Sequence, residues 1–157
     1  MKKVQIQSQV KEIKNNMPII SLTQEAIDRG RFPEVGWSPA KLNKVGEQKA
    51  AKGESVNWFF EYIMTGGPES KNDNAGRYQT FLVNSAGLSN GIKGAVTMFK
   101  TMVGSLLGLR MDEVSADDYD TDKLVGKTCW IKIDVATIDG KLIYQITDFS
   151  PDNEVPF

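Results

Sequence analysis

Residues 128–149 read TCWIKIDVATIDGKLIYQITDF, and this stretch decides the fold. Cys129, Ile131, Ile133 and Val135 alternate with Trp130, Lys132 and Asp134, the period of a strand with one apolar face. Asp139-Gly140 is a two-residue hairpin signal, because both central positions of such a turn need positive φ. The pattern predicts a strand over 128–137, a tight turn, and a second strand over 141–149.

Just upstream the period changes. Ile92, Val96, Phe99, Val103 and Leu106 step by three or four, with Met102 and Leu107 beside them. This predicts one amphipathic helix over 91–107, stopped by Gly108. Three strands are predicted before it, over 37–48, 55–64 and 77–84. Gly46 is the expected bulge in the first strand, and 65–76 the expected loop between the second and third. Residues 1–33 read as an extension with a short helix over 24–29, capped by Thr23 and stopped by Gly30. The domain spans 34–150, and a tail follows over 151–157.

Three strands, a helix and a hairpin follow the element order of an OB-fold, a five-stranded Greek-key barrel with a helix between strands 3 and 4. The expected fold is therefore mainly β, with an N-terminal extension.

Composition removes many functions. The chain has 157 residues, one cysteine and no histidine. Ser-His-Asp and Cys-His relays, His-ligated zinc and internal disulfides are excluded. Cys129 reads as a small buried hydrophobe. No cofactor or metal is expected. Among the acid pairs, Asp117 and Asp118 are the notable one on which a nuclease-like carboxylate chemistry could be built. They stand in a run of six acids between Asp112 and Asp122, which reads as a solvated loop. Gly66-Gly67-Pro68 lacks the Gly-Lys-Ser/Thr ending of a phosphate loop. No apolar run of membrane or signal-peptide length is present, so neither a membrane nor secretion is expected.

The net charge of −1 hides an asymmetry. Residues 36–111 hold nine basic and five acidic side chains, a surplus that permits a positive groove. The second strand is dense in rings: Trp58, Phe60 and Tyr62 on one face, Phe59 on the other. Both faces are apolar, and the pattern does not choose between them. Most such rings belong in a core. Two or three facing outward would suit single-stranded nucleic acid, because every base offers a π-face for stacking. The candidate DNA contacts are Trp37, Trp58, Phe60, Tyr62, Tyr78 and Trp130, with Lys49, Lys52, Lys71, Arg77, Lys132 and Lys141 for phosphates. Trp130 is the leading exposed candidate, being out of phase with the aliphatic face of its strand.

The ending Asp152-Asn153-Glu154-Val155-Pro156-Phe157 resembles the acidic Pro-Phe tail of bacterial and phage single-stranded-DNA-binding proteins. Residues 36–64, 124–127 and 140–151 are also similar to a group of phage-encoded members. The resemblance implies sequence-independent, non-enzymatic binding of single-stranded DNA in replication, recombination or repair, in the cytoplasm of a bacterial or phage-infected cell. It implies capture of replication and recombination proteins by Asp152, Glu154, Val155, Pro156 and Phe157. An edge strand or the helix could pair subunits into a homo-oligomer. The competing expectation is an OB-like protein–protein interaction module without DNA binding. The tail is acidic and cannot itself be the DNA surface. With almost no linker before it, the expectation is that it can fold back over that surface.

Overall fold

The computed structural model describes residues 19–49, 55–66, 70–114 and 120–157. In chain order these form α1 (Gln24–Gly30), β1 (Gly36–Lys49), β2 (Val56–Met64), β3 (Tyr78–Asn84), α2 (Ser85–Ser89), α3 (Lys93–Leu107), β4 (Thr128–Ile138) and β5 (Lys141–Ser150). Short 3-10 turns at Met111–Glu113 and Thr121–Lys123 lie between α3 and β4. The fold is mainly β: one five-stranded antiparallel sheet in the order β3-β2-β1-β4-β5, with the long helix α3 between strands 3 and 4.

β1 is the central strand and serves two partners. Its first part pairs with β4, Trp37 opposite Lys132 and Pro39 opposite Trp130. Its later part pairs with β2, Val45 opposite Phe60 and Glu47 opposite Trp58. The bulge falls between Leu42 and Lys44, at Asn43, and not at Gly46 as expected. Leu42 and Val45 both face the core although they are three residues apart, which strict alternation forbids and an extra residue permits. Gly46 instead makes room for a ring. A Cβ there would stand 2.5 Å from the Phe59 side chain.

The core lies between the inner face of the sheet and α3. Leu42, Phe60, Tyr62, Met64, Met102, Val103, Cys129, Ile131 and Ile133 are all buried in it. Rings interlock there: Phe60 meets Phe99 edge-on at 6.4 Å, and Phe81 meets Phe149 edge-on at 5.1 Å. This settles the face of β2. Trp58, Phe60, Tyr62 and Met64 point inward, so Phe59, Glu61 and Ile63 point outward. Each fully buried large side chain of this kind contributes about 1.5–3 kcal/mol.

α3 has no side-chain N-cap, and it stops at Gly108, whose φ of 71° is the left-handed conformation that glycine adopts without strain. Pattern reading missed α2, a single turn capped by Asn84, whose side chain accepts bonds from the Ala86 and Gly87 amides. At α1 the expected cap is present, with Ala26 N–H donating to Thr23 Oγ1 at 3.1 Å. The turn Asp139-Gly140 has positive φ at both residues, 51° and 77°.

The outer strands β3 and β5 approach one another. Gln79 Nε2 donates to the Tyr144 carbonyl at 3.0 Å, and the ring of Tyr144 stacks on Phe32 from the preceding segment at 5.2 Å. No helix among the described residues is long and apolar enough to cross a membrane.

Candidate nucleic-acid interface

Register and inward facing define the opposite face of the sheet row by row. Across β5, β4 and β1 run Asp148, Lys132 and Trp37, then Ser150, Trp130 and Pro39. Across β4, β1, β2 and β3 run Thr128, Lys41, Ile63 and Tyr78. Across β1, β2 and β3 run Lys44, Glu61 and Thr80, then Gly46, Phe59 and Leu82. This face therefore carries four rings, Trp37, Trp130, Tyr78 and Phe59, among three strand lysines, Lys41, Lys44 and Lys132. Lys71 joins them from the loop before β3.

Phe59 lies over Gly46, and the Lys44 ammonium stands 5.9 Å from its ring centroid. Removing a side chain from β1 exposes a flat strip against which the ring rests, with Leu82 half exposed beyond it. Glu61 and Asp148 are acids of this face, and the Glu61 carboxylate accepts from Asn43 Nδ2 at 3.1 Å.

Several expected contacts are elsewhere. Phe60 and Tyr62 are buried in the core and have no ring face left for a base. Trp58 packs against that core, with its indole N–H donating to Glu47 Oε1 at 3.2 Å. All three belong to the inward set, where Phe99 of α3 meets Phe60 and Phe149 of β5 meets Tyr62. Arg77 is half-buried and engaged internally, donating from Nη1 to the Phe32 carbonyl at 2.7 Å. Lys49 and Lys141 are exposed, but at the end of β1 and at the β4–β5 turn, away from the rings. Lys52, Asp117 and Asp118 lie outside the described residues. Among the described residues no group of acids and cysteine could hold a metal ion.

Trp130 faces outward as its phase requires, yet only 4 % of it is exposed. The 152–157 segment covers it. The Phe157 ring meets the indole at 5.3 Å with an interplanar angle of 86°, and the Lys71 ammonium sits 4.7 Å from the centroid of the same Phe157 ring. Pro151 ends the ladder, and a turn follows in which Glu154 N–H donates to the Pro151 carbonyl at 3.1 Å. Ser150 Oγ donates to the Glu154 carbonyl at 3.1 Å, and the Thr128 hydroxyl donates to the Asp152 carboxylate. The segment thus lies along β4 and does not project from the domain. Asp152, Glu154, Val155 and Phe157 remain exposed, Phe157 by half.

Behind this face, Cys129 and Tyr62 are the buried titratable pair. Burial pushes the Cys129 thiol well above its ordinary range, and the nearby Asp152 charge pushes the same way. Burial likewise raises the Tyr62 phenol, reinforced by the Cys129 sulfur beside it. Among the described residues, Tyr62 Oη has no hydrogen-bond partner of good geometry. A thiol held protonated is a poor nucleophile, so Cys129 serves as packing.

Pattern reading passed over Phe59, Lys41 and Lys44. A glycine on the preceding strand, facing an aromatic, is the signal that would have found Phe59, and only the register reveals it. In comparisons with known proteins, no family model and no curated protein matches the chain.

Proposed function

We propose that this chain binds single-stranded DNA without sequence preference on the outer face of its sheet, as a non-enzymatic OB-type barrel. The observation that carries the reading is the interleaving of Phe59, Tyr78, Trp37 and Trp130 with Lys41, Lys44, Lys71 and Lys132 on one surface. Rings stack on bases of any identity, and lysines hold the phosphates between them. The strand order β3-β2-β1-β4-β5 is that of an OB barrel opened between its third and fifth strands. The Gln79–Tyr144 bond and the Phe81–Phe149 contact support closure there.

On this reading the 152–157 segment lies on one end of the DNA surface. Its ring sits on Trp130 and under Lys71, where a base and its phosphate would go. DNA and the segment therefore compete, and the displaced segment, carrying Asp152, Glu154, Val155, Pro156 and Phe157, becomes available to replication or recombination proteins. That role fits the cytoplasm of a bacterial or phage-infected cell.

A protein-only interaction module is the second reading. The exposed apolar side chains at the hairpin end, Val135, Ile138, Leu142 and Ile143, favour it.

Titration of tryptophan fluorescence with oligo-dT and oligo-rU tests the proposal. Quenching by oligo-dT, weakening with salt and similar for mixed DNA sequences, is the expected result. Absence of both quenching and a gel shift at low salt overturns it, and preference for oligo-rU reassigns the ligand to RNA.

A further inference from the structure

The loop before β3 carries Lys71 to the outer face, and its second half is bonded side chain by side chain to the entry of β1. Asn74 is buried, and its amide makes both bonds of a strand to the Glu34 main chain. Oδ1 accepts from Glu34 N–H at 2.7 Å, and Nδ2 donates to the Glu34 carbonyl at 2.9 Å. The same Nδ2 donates to Ser38 Oγ at 2.9 Å, and Ser38 Oγ donates to Asn72 Oδ1 at 3.1 Å. Asn72 Nδ2 donates to the Trp37 carbonyl at 3.2 Å, and Ser70 Oγ donates to the Asn72 carbonyl at 3.1 Å. The buried Ser38 sits between two outward residues of β1, Trp37 and Pro39, the second of which is paired with Trp130.

Lys71 directly precedes Asn72. A chain of polar bonds therefore runs from the residue beside this cation, through Ser38, to the strand that carries Trp37 and flanks Trp130. A lysine on an unbonded loop would lose rotamer and backbone freedom on gripping a phosphate. Here much of the backbone share of that freedom is already removed, because Asn72 is tied to β1 on one side of residue 71 and Ser70 on the other is bonded back to Asn72. The two asparagines have no need to be this buried merely to shape a turn, which exposed Asn and Gly residues do.

We infer that Asn72, Ser38 and Asn74 are positioning residues that fix the offset between Lys71 and the rings of the outer face, so that one phosphate is held at a set distance from a stacked base. The inference rests on the outer face being the DNA surface. It adds three buried or half-buried residues, none of which touches DNA, to those that determine affinity.

A double-mutant cycle in the full chain tests it, read by oligo-dT affinity over a range of salt. Lys71→Ala is expected to weaken binding and to lower the salt slope by about 0.7, the share of one phosphate contact on a single strand. Asn72→Ala is expected to weaken binding about 3- to 5-fold with a lowered slope, and to have no further effect once Lys71 is alanine. Its effect is expected to add in full to that of Lys132→Ala, because Lys132 stands on β4, outside the bonded loop. Ser38→Ala, which removes one hydroxyl from a buried small-residue site, is the second variant should Asn72→Ala fold poorly, with the same pattern expected at smaller size. A merely destabilised fold would lower the active fraction and leave the slope alone. Variants of Asn72 and Ser38 that bind like the parent, or whose losses add in full to that of Lys71→Ala, overturn the inference while the DNA reading stands. A parent protein that does not bind oligo-dT sinks the reading itself.

Discussion

Phe157 stands edge-on to the indole of Trp130, ring centroids 5.3 Å apart, and this contact makes an outward-facing tryptophan almost inaccessible. Edge-to-face pairs are favoured because the positive rim of one ring meets the negative face of the other. The Lys71 ammonium adds a cation–π contact on the same ring. Together these are worth about 1–2 kcal/mol, enough to hold the segment down and weak enough to release it. A chain ending at Pro151 is expected to show greater acrylamide quenching of tryptophan and about 5- to 30-fold tighter binding of oligo-dT. Phe157→Ala should move both readings the same way by a smaller amount. Unchanged quenching would show that the contact does not persist in solution.

Phe59 is expected to be a principal stacking ring on β2. Phe59→Ala should weaken oligo-dT binding by about 1–3 kcal/mol in titration while leaving the melting temperature nearly unchanged, since the ring lies outside the core. Gly46→Ala would push the ring off its seat, because the new Cβ would approach it to 2.5 Å. Its binding loss should be smaller than that of Phe59→Ala, as the ring can swing aside and still stack.

Phe60 and Tyr62 should behave as core residues. Phe60→Ala is expected to cost about 3–5 kcal/mol in urea unfolding. Tyr62→Phe should go the other way, adding about 1 kcal/mol, because the buried hydroxyl it removes has no hydrogen-bond partner of good geometry among the described residues. A loss of stability in Tyr62→Phe would show that the hydroxyl is satisfied in solution.

Alkaline pH should unfold the protein through the same pair. The Cys129 thiol and Tyr62 phenol both have folded pKa values above their ordinary 9.0 and 10.0. The folded state keeps protons that the unfolded chain releases, so stability is full below those values and falls as pH rises through them. The melting temperature should therefore be flat toward neutrality with respect to these groups and decline above pH about 9. Cys129→Ala should soften the decline, and native Cys129 should resist thiol reagents until the chain unfolds.

Much of the fold was legible. The hairpin's alternation, its Asp139-Gly140 turn and the three-four spacing of α3 placed those elements within a residue or two of their observed ends. What stayed closed was which side of β2 faces inward. Trp58, Phe60 and Tyr62 alternate with Phe59 and Ile63, so each side is apolar and period alone is symmetric between them. Packing of Phe99 against Phe60 breaks the tie, and no local pattern contains that contact. For Trp130 the phase was right and the exposure wrong. Its cover comes from a segment more than twenty residues downstream, held by Thr128, Ser150 and Lys71; the short linker predicts that this segment can fold back, but not that Trp130 is the residue it covers. The loop before β3 reads as Asn- and Gly-rich turn sequence, and its asparagines prove to be interior bonds.

Asn43 carries one more consequence. Because the extra residue stands just past the part of β1 that pairs with β4 and inside the part that pairs with β2, it keeps the stretches of strand on either side of it in phase with one core. The identity of residue 43 is therefore nearly free, and its presence is not. Exchanging Asn43 for serine or threonine should be tolerated, whereas deleting it would turn Val45 outward and Lys44 inward and scramble every cross-strand pair from Glu61 back to Val56. Along this strand, the count of residues is under tighter constraint than their chemistry.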